Sequence, residues 1–437
     1  MPIPVWPHCP VNHKSCAWAG VCRWLGWLLM LAALSGCPAN EAQAPLTLWA
    51  MGREGEAVQA LTAEFERQHP GVRVKVQQIP WSAAHEKLLT AFAGDALPDV
   101  IQLGNTWIPE FAALNAIVPL SDMDAADVFP GILASSQIEG RLLAMPWYVD
   151  TRLLFYRKDL LAQAGFDRPP ETWSAWQAAM ARIAALPGEP HFGLLLPLNE
   201  WQPLTVLALQ SGASLLRDDD RHADFQSPAF RQAFGFYLDL FRRGYAPALA
   251  EAQLNNIYQD FADGRFAFYI TGPWNLGEFR QRLPVRVQPQ WDTAPMPGPD
   301  GPGVSLAGGS SLALCRSSPQ PLMARALIAF LTGQEQQLAF YRLTGDLPAR
   351  RSAWSHPDLA QAPHTGAFRR QLDHVRPTPK IPEWERIADK ISHMAEKAVR
   401  GDLSEADALA ALNAEVEQIL AKRRWLLNQV TPGEPAP

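Results

Sequence analysis

The stretch LTLWAMGREGEAVQALTAEFERQHPGVRVKVQQIPWSAAHEKLLTAFAGDALPDVIQL, residues 46–103, decides the fold of this chain. Three runs in it are short and apolar or alternating, as strands are: 46–50, 72–76 and 98–103. Two runs between them show helical spacing of apolar residues, as at Val58, Leu61 and Phe65: 56–68 and 81–92. This order of strand, helix, strand, helix and strand predicts a parallel sheet covered by helices, and such sheets bind ligands where strands end in loops.

Length and composition limit the classes of protein to consider. With 437 residues the chain exceeds the size at which one core usually keeps growing, so two lobes are expected. A net charge of -6 argues against nucleic acid as a partner, because nucleic-acid binding draws on a basic surface. Several of the 16 tryptophans stand beside Gly, Pro, Asn or Asp at the ends of apolar runs, where flat rings can stack on a sugar. The alternative is that they are large core residues.

The first residues are expected to be a targeting signal. Lys14 and Arg23 precede the apolar run 24–34, which has the length of a secretory signal and is too short to span a bilayer. The run ends in LSGC, residues 34–37, which resembles the lipobox of bacterial lipoproteins. We therefore expect a lipoprotein signal peptide over 1–36, lipidation of Cys37 and a tether over 37–45; the alternative is an ordinary signal peptide with a chance cysteine.

Strand and helix patterns continue along the remaining chain. A Pro/Gly-rich passage over 295–303 predicts a crossing between lobes, and 304–315 predicts a strand pair interrupted by glycine. The regions 382–398 and 404–425 are predicted to be helical. If Cys37 carries lipid, Cys315 has no partner and no disulfide framework exists.

Several segments, in their shared order and spacing, carry a family resemblance. They are LTLW 46–49, FERQHPGVRV 65–74, GDALPDVI 94–101, GRLLAMP 140–146, FYRKDL 155–160, PETW 170–173, GRFAF 264–268, TGPW 271–274 and GGS 308–310. With them the chain resembles the family 1 bacterial extracellular solute-binding proteins. This group contains the maltose-, trehalose- and other sugar-binding proteins of ABC importers.

The resemblance implies an α/β protein with the two-lobed, type II periplasmic-binding-protein fold and a ligand cleft between the lobes. By analogy the N-terminal lobe comprises 46–149 and 304–347, and the C-terminal lobe comprises 150–303 and 348–437. The lobes are expected to close on ligand like a hinged clamp. The resemblance implies no catalytic residue, cofactor or metal. It implies a monomer that binds a sugar outside the cytoplasm and delivers it to a membrane permease.

The resemblance also assigns candidate ligand-binding residues, mostly in loops that follow strands. They are Gly52, Arg53, Glu54, Asn105, Thr106, Trp107, Tyr148, Asp150, Trp201, Trp274, Gly308, Gly309, Ser310 and Arg350. Glu54 and Asp150 would accept hydrogen bonds from sugar hydroxyls, and Trp274 would be a stacking platform. The two carboxylates have structural alternatives: Glu54 can stabilise a helix start, and Asp150 can fix a crossing strand.

Two other classes of function stay open from the sequence. A binding protein for a charged solute would share this architecture: the carboxylates and tryptophans suit a polyamine, whereas a phosphodiester needs more cationic residues than the candidate loops supply. A carbohydrate-active enzyme would use two carboxylates across a cleft, such as Glu54 and Asp150. However, the chain contains no nucleophile elbow, no metal-binding histidine spacing and no Walker-type phosphate loop.

Overall fold

Two sheets organise the computed structural model, which describes residues 44–187, 191–250, 253–254 and 256–429. The expected signal peptide and Cys37 lie outside these residues. The strands are β1 Leu46–Met51, β2 Val74–Ile79, β3 Val100–Gly104, β4 Gln137–Ile138, β5 Arg141–Leu142, β6 Met145–Asp150, β7 Leu153–Arg157, β8 Phe192–Leu195, β9 Leu216–Arg217, β10 His222–Ala223, β11 Phe266–Thr271, β12 Trp291–Ala294, β13 Ser305–Leu306, β14 Gly308–Leu314, β15 Leu347–Pro348 and β16 Val375–Arg376.

Helices cover both sheets. They are α1 Gly52–Gln68, α2 Trp81–Ala93, α3 Ile108–Ala113, α4 Pro130–Ser135, α5 Lys158–Gln163, α6 Trp173–Ala184, α7 Gln202–Gln210, α8 Pro228–Arg242, α9 Ile257–Ala262, α10 Trp274–Arg282, α11 Pro321–Leu331, α12 Gln334–Thr344, α13 Pro357–Ala360, α14 Gly366–Leu372, α15 Trp384–Arg400 and α16 Glu405–Gln429. Within the described ranges, none of these helices is both long and apolar enough to cross a membrane.

The larger sheet, with the helices packed on it, forms what we call the first lobe. Its strand order is β15-β6-β14-β3-β1-β2. β1 pairs in parallel with β2 and β3, as predicted, and Leu48 stands opposite Val76 and Val100. β14 returns from later in the chain and lies antiparallel between β3 and β6. This places the loops after β1, β2 and β3 at one edge of the sheet.

Helix α1 shows why this part of the sequence folds as it does. The apolar stripe of Val58, Leu61 and Phe65 is buried, as its spacing predicts. Burial of each of these side chains stabilises the fold by about 1.5 to 3 kcal/mol. The helix begins at Gly52, directly after β1, rather than at Glu56, so the predicted contact loop is in fact the first turn of α1.

The smaller sheet, with the helices packed on it, forms the second lobe. Its strand order is β12-β7-β11-β8, in which β11 pairs antiparallel with β7 and parallel with β8. Helices α15 and α16 pack on each other, and α15 also contacts α8 of this lobe. The chain passes from β6 to β7 through only Thr151 and Arg152, and returns from β12 to β14 through the predicted Pro/Gly-rich passage.

Candidate ligand-binding site

A cleft of about 800 Å³ is lined by residues of both lobes. The first lobe contributes the starts of α1 and α2, the segment after β3, and the end of β6. The second lobe contributes the starts of α7, α10 and α15. Of the predicted binding residues, those on the cleft wall are Arg53, Glu54, Asn105, Thr106, Trp107, Tyr148, Asp150, Trp201, Trp274, Gly308 and Gly309.

The structure does not bring the three remaining candidates to the cleft wall. Gly52 lies one residue before Arg53, and its carbonyl accepts a hydrogen bond from Gln78 at 2.6 Å. Ser310 is buried, and its hydroxyl donates to the carbonyl of Leu103. The guanidinium of Arg350 donates to the carbonyls of Thr332 and Asp124, which ties segments within the first lobe. Arg350 is therefore a structural residue in this fold, because its guanidinium bonds to these carbonyls and does not line the cleft.

A hydrogen-bonded chain fixes Glu54. The hydroxyl of Tyr148 donates to Oε1 of Glu54 at 2.9 Å and accepts from Nε2 of Gln102 at 3.1 Å. Oε1 of Gln102 in turn accepts from the backbone amide of Met51 at 2.7 Å. The indole of Trp81 also donates toward the Glu54 carboxyl. Since these residues come from β1, β3, β6 and the start of α2, the orientation of Glu54 depends on several strands of the first sheet.

Burial acts on the ionisation of two carboxyls in this region. It raises the pKa of Glu54, which the backbone and the hydroxyl of Tyr148 partly oppose. Burial, together with the nearby charge of Glu54, raises the pKa of Asp346 from 3.8 to about 8. Asp346 stands just before β15 and is 5% exposed. At neutral pH the Asp346 carboxyl is therefore largely protonated and can donate as well as accept a hydrogen bond.

Asp150 and Trp274 meet at Arg152. Asp150 ends β6, and its Oδ1 lies 3.4 Å from a terminal nitrogen of Arg152. The guanidinium carbon of Arg152 lies 4.5 Å from the ring centroid of Trp274. Burial raises the pKa of Asp150, and the charge of Arg152 partly offsets this rise. The Trp274 ring occupies the space next to Gly272 where any larger residue would place its Cβ, at 1.9 Å from a ring atom.

Aromatic rings from both lobes face the cleft. Trp81 and Trp107 of the first lobe are in edge contact, with ring centroids 5.7 Å apart. Trp274 and Trp201 line the opposite wall, and Trp201 packs on the buried Trp384. Trp81 and Trp274 keep 38% and 36% of their surface exposed, so part of each ring is open to a bound molecule.

Some cleft residues have structural partners. The amide of Asn105 donates to the hydroxyl of Ser135 at 2.9 Å and accepts from Ser311 at 2.8 Å, so both of its ends are engaged inside the first lobe. Gly309 has φ of +138°, and a Cβ there would lie 2.4 Å from the carbonyl oxygen of Tyr148. Glycine is therefore required at position 309 because β14 and β6 approach closely.

Charged residues link the lobes at the rim. Arg53 of the first lobe lies 3.8 Å from Glu278 of the second, and Glu278 also pairs with Arg282 at 2.5 Å. Deeper in the cleft, Glu385 at the start of α15 lies beside Thr106 and Trp107, and burial raises its pKa. Its Oε1 atom is buried without a hydrogen-bond partner among the described residues.

Sequence reasoning missed several of these residues. Trp81 follows β2 in the same way that Arg53 and Glu54 follow β1, so the strand-end rule that found those residues also applies to it. Asp346, Glu278, Arg282 and Glu385 carry no such local signal, because helix and strand packing alone brings them to the cleft. Among the described residues, no group of three or more His, Cys, Asp or Glu side chains is placed to hold a metal ion.

This arrangement combines hydrogen-bonding groups with exposed aromatic surface on two facing walls. Carboxyls accept hydrogen bonds from hydroxyls, and indole rings pack against flat apolar faces. Such a cleft matches a small molecule that has several hydroxyls and an apolar face.

Comparisons with known proteins identify the family to which this chain belongs. The family model described as bacterial extracellular solute-binding protein matches residues 50–338. The chain is 46% identical to the sugar-binding protein MalE from Xanthomonas citri, covering 89% of this chain and all of that one, with a TM-score of 0.85. It is 25% identical to the diacetylchitobiose binding protein DasA of Streptomyces coelicolor, over 87% of this chain and 90% of that one.

A further structural neighbour is the GacH receptor of Streptomyces glaucescens, which has been solved unliganded and with acarbose. The two chains are 25% identical, and their match covers 86% of this chain and 98% of the receptor with a TM-score of 0.77. Together these neighbours confirm the two-lobed α/β fold that the sequence predicts.

Proposed function

This chain belongs to the bacterial extracellular solute-binding proteins, and from that premise we propose that it binds a sugar or oligosaccharide in its cleft. It then delivers the sugar to the membrane permease of an ABC importer. The observation that carries this proposal is the facing of Glu54 and Asp150 with the open rings of Trp81 and Trp274 in one cleft. The names of relatives support it, since MalE of Xanthomonas citri is a sugar-binding protein and DasA binds diacetylchitobiose.

The lobes would act as a clamp. We propose the boundaries 46–149 with 304–347 and 150–303 with 348–437. The strands of the smaller sheet all lie in 150–303, and those of the larger sheet lie in the first pair of ranges except for Asp150 and Pro348, which end β6 and β15. The residues just after β15, such as Arg350, still bond to the first lobe. The two-residue link between β6 and β7 suits a hinge, since a short connection can absorb a backbone rotation. Ligand between the walls would favour the closed form, which the permease recognises. The protein would act as a monomer, without cofactor, metal or catalytic residue.

We propose that the protein is anchored by lipid at Cys37 on the outer side of the membrane, with residues 1–36 removed and 37–45 as a tether. The support is the LSGC sequence after an apolar run. Replacing Cys37 with Ser should move the protein from the membrane fraction to the soluble fraction of a host that processes lipoproteins. Equal membrane association of both forms would contradict the lipid anchor, and the proposal that the protein binds a sugar would still stand.

A polyamine is the second candidate ligand. The observation that favours it is the presence of the Glu54 and Glu385 carboxyls in the cleft, neither of which forms an ion pair within the part of the chain that the structure describes. A phosphodiester is less suited, because Arg53 and Arg282 share Glu278 and Arg152 contacts Asp150.

A thermal-shift screen tests these ligands directly. Maltose, diacetylchitobiose, mannitol, spermidine and glycerophosphocholine would each be added to the mature protein, since a ligand of the native state raises the melting temperature. We expect a sugar to give the largest rise, and a calorimetric titration to confirm one site. Trp274→Ala should reduce the rise, whereas Trp425→Ala should not, since Trp425 is exposed and lies outside the cleft.

A rise in the melting temperature with spermidine alone would identify a polyamine, and not a sugar, as the ligand. Chromatography of each sugar after prolonged incubation with the protein separates binding from catalysis: intact sugar is expected, and released products would identify an enzyme.

A further inference from the structure

Two arginines are buried close together in the chain, and their surroundings differ. Arg152 and Arg157 are 7% and 5% exposed. Arg157, at the end of β7, donates to both carboxyl oxygens of Asp159 and to the carbonyls of Phe261 and Ala262. Arg157 thus has the partners expected of a residue that stabilises the fold.

Arg152 has fewer and weaker partners. One terminal nitrogen lies 3.4 Å from Asp150, and the guanidinium stacks over Trp274. Its Nε is buried and has no hydrogen-bond partner among the described residues. Leaving a buried donor unsatisfied costs free energy, so the Arg152 side chain contributes less to the stability of the fold than Arg157 does.

The position of Arg152 suggests what the arrangement achieves. It lies in the two-residue link between the lobes, and it lines the cleft. Its backbone carbonyl accepts a hydrogen bond, at 2.6 Å, from the hydroxyl of Ser305 in β13, which lies between β12 and β14. The backbone is therefore held by that bond, while the side chain contacts Asp150 from β6 and Trp274 from α10.

We propose that Arg152 is a positioning residue for the sugar site, which holds the Asp150 carboxylate and the Trp274 ring in the mutual arrangement that the ligand requires. The inference rests on the proposed function. A guanidinium suits the task because it is planar, always charged and able to stack on a ring while it donates to a carboxylate. Asp150 and Trp274 contact the ligand, and Arg152 acts through them.

Arg152 also favours the charged form of Asp150. Burial raises the pKa of Asp150, and the guanidinium keeps that rise smaller than it would otherwise be. Asp346, in the segment before β15, is a titratable group that also interacts with Asp150, and its own pKa is about 8. Without Arg152, Asp150 would take up a proton at a higher pH. The affinity of a ligand that needs the carboxylate would then begin to fall at a higher pH as the solution is acidified.

The experiment compares Arg152→Met, Arg152→Lys and Arg157→Met with the parent. Calorimetric titrations from about pH 5 to pH 9 would use whichever of maltose, diacetylchitobiose and mannitol binds the parent most tightly. We expect Arg152→Met to bind roughly ten- to a hundredfold more weakly at neutral pH, the loss typical of hydrogen bonds to charged groups. The pH at which its affinity begins to fall on acidification should be higher than in the parent. Arg152→Lys should restore the pH profile but only part of the affinity, since an ammonium keeps the charge without the planar stacking.

Thermal unfolding of the same proteins separates positioning from a structural role. Arg152→Met should melt somewhat below the parent, because the Asp150 carboxyl loses its charged partner, but this loss should be the smaller of the two, since Arg152 makes fewer bonds than Arg157. Arg157→Met should melt much lower, because it leaves several buried acceptors without a donor. The inference is overturned if Arg152→Met keeps both the affinity and the pH profile of the parent, or if its affinity falls only in proportion to a lost fold.

If the parent binds none of these sugars, the three are excluded as ligands of the proposed site, and the inference is still tested in the empty protein. Carbon-13 NMR of the Asp150 carboxyl, assigned with Asp150→Asn, should show a higher pKa in Arg152→Met than in the parent. An unchanged pKa for Asp150 would overturn the role of Arg152 by itself.

Discussion

The hydroxyl of Tyr148 offers a direct test of how the sheet supports the cleft. It donates to Glu54 at 2.9 Å and accepts from Gln102 at 3.1 Å. Tyr148→Phe removes this single atom and preserves the ring. Gln102 is fully buried, so its side-chain amide would lose its partner where water does not reach it. An unsatisfied buried group of this kind lowers the free energy of unfolding by about 1 to 3 kcal/mol.

The change should also act on ligand binding. The hydroxyl of Tyr148 is one of the groups that oppose the rise in the pKa of Glu54. Without it, the pKa of Glu54 should rise further, and the carboxyl becomes less charged near neutral pH. Sugar affinity should therefore fall, and it should recover in part as the pH is raised.

Tyr237→Phe is the matched control. Tyr237 is buried in α8, and its hydroxyl has no hydrogen-bond partner among the described residues. Removing that hydroxyl should leave the stability unchanged or raise it, since no bond is lost and a buried polar atom is removed. Urea unfolding of both variants and the parent measures the difference in stability, if the free energy of unfolding falls with urea at the same rate in all three proteins. The reasoning is refuted if Tyr148→Phe is as stable as the parent, or if Tyr237→Phe loses as much stability.

Three further predictions concern the cleft. Trp274→Ala should weaken sugar binding by about 1 to 3 kcal/mol in calorimetry, the scale of one large apolar contact, and unchanged affinity would exclude stacking there. Glu54→Gln and Asp150→Asn should each weaken binding by about 1 to 3 kcal/mol while circular dichroism stays unchanged; wild-type affinity in both would place the site elsewhere. Burial raises the pKa of Asp346 from 3.8 to about 8, so its stabilising contribution is complete below the lower value and is lost as pH rises through the higher one. Urea unfolding at about pH 6 and pH 9 should show a smaller loss of stability for Asp346→Asn than for the parent.

Local sequence patterns determined much of the architecture. The alternating and helical runs over 46–103 predict the parallel start of the first sheet and the buried stripe of α1, because both depend on the spacing of apolar side chains along the chain. The strand-end rule, together with the family segments, placed Glu54, Trp107 and Trp274 on the cleft wall. Such residues are predictable because a strand and its following loop are neighbours in sequence.

Only the tertiary structure decided which other residues reach the cleft and which charge they carry there. Arg350, although it stands near cleft segments in the sequence, is directed to the carbonyls of Thr332 and Asp124 inside the first lobe. Asp346 and Glu385, in contrast, reach the cleft only because β15 and α15 pack against it. The charge state of Asp346 is likewise set by burial and by Glu54, some 290 residues earlier in the chain. Burial and charge at a point in space depend on every segment that meets there, and the sequence around one residue does not contain that information.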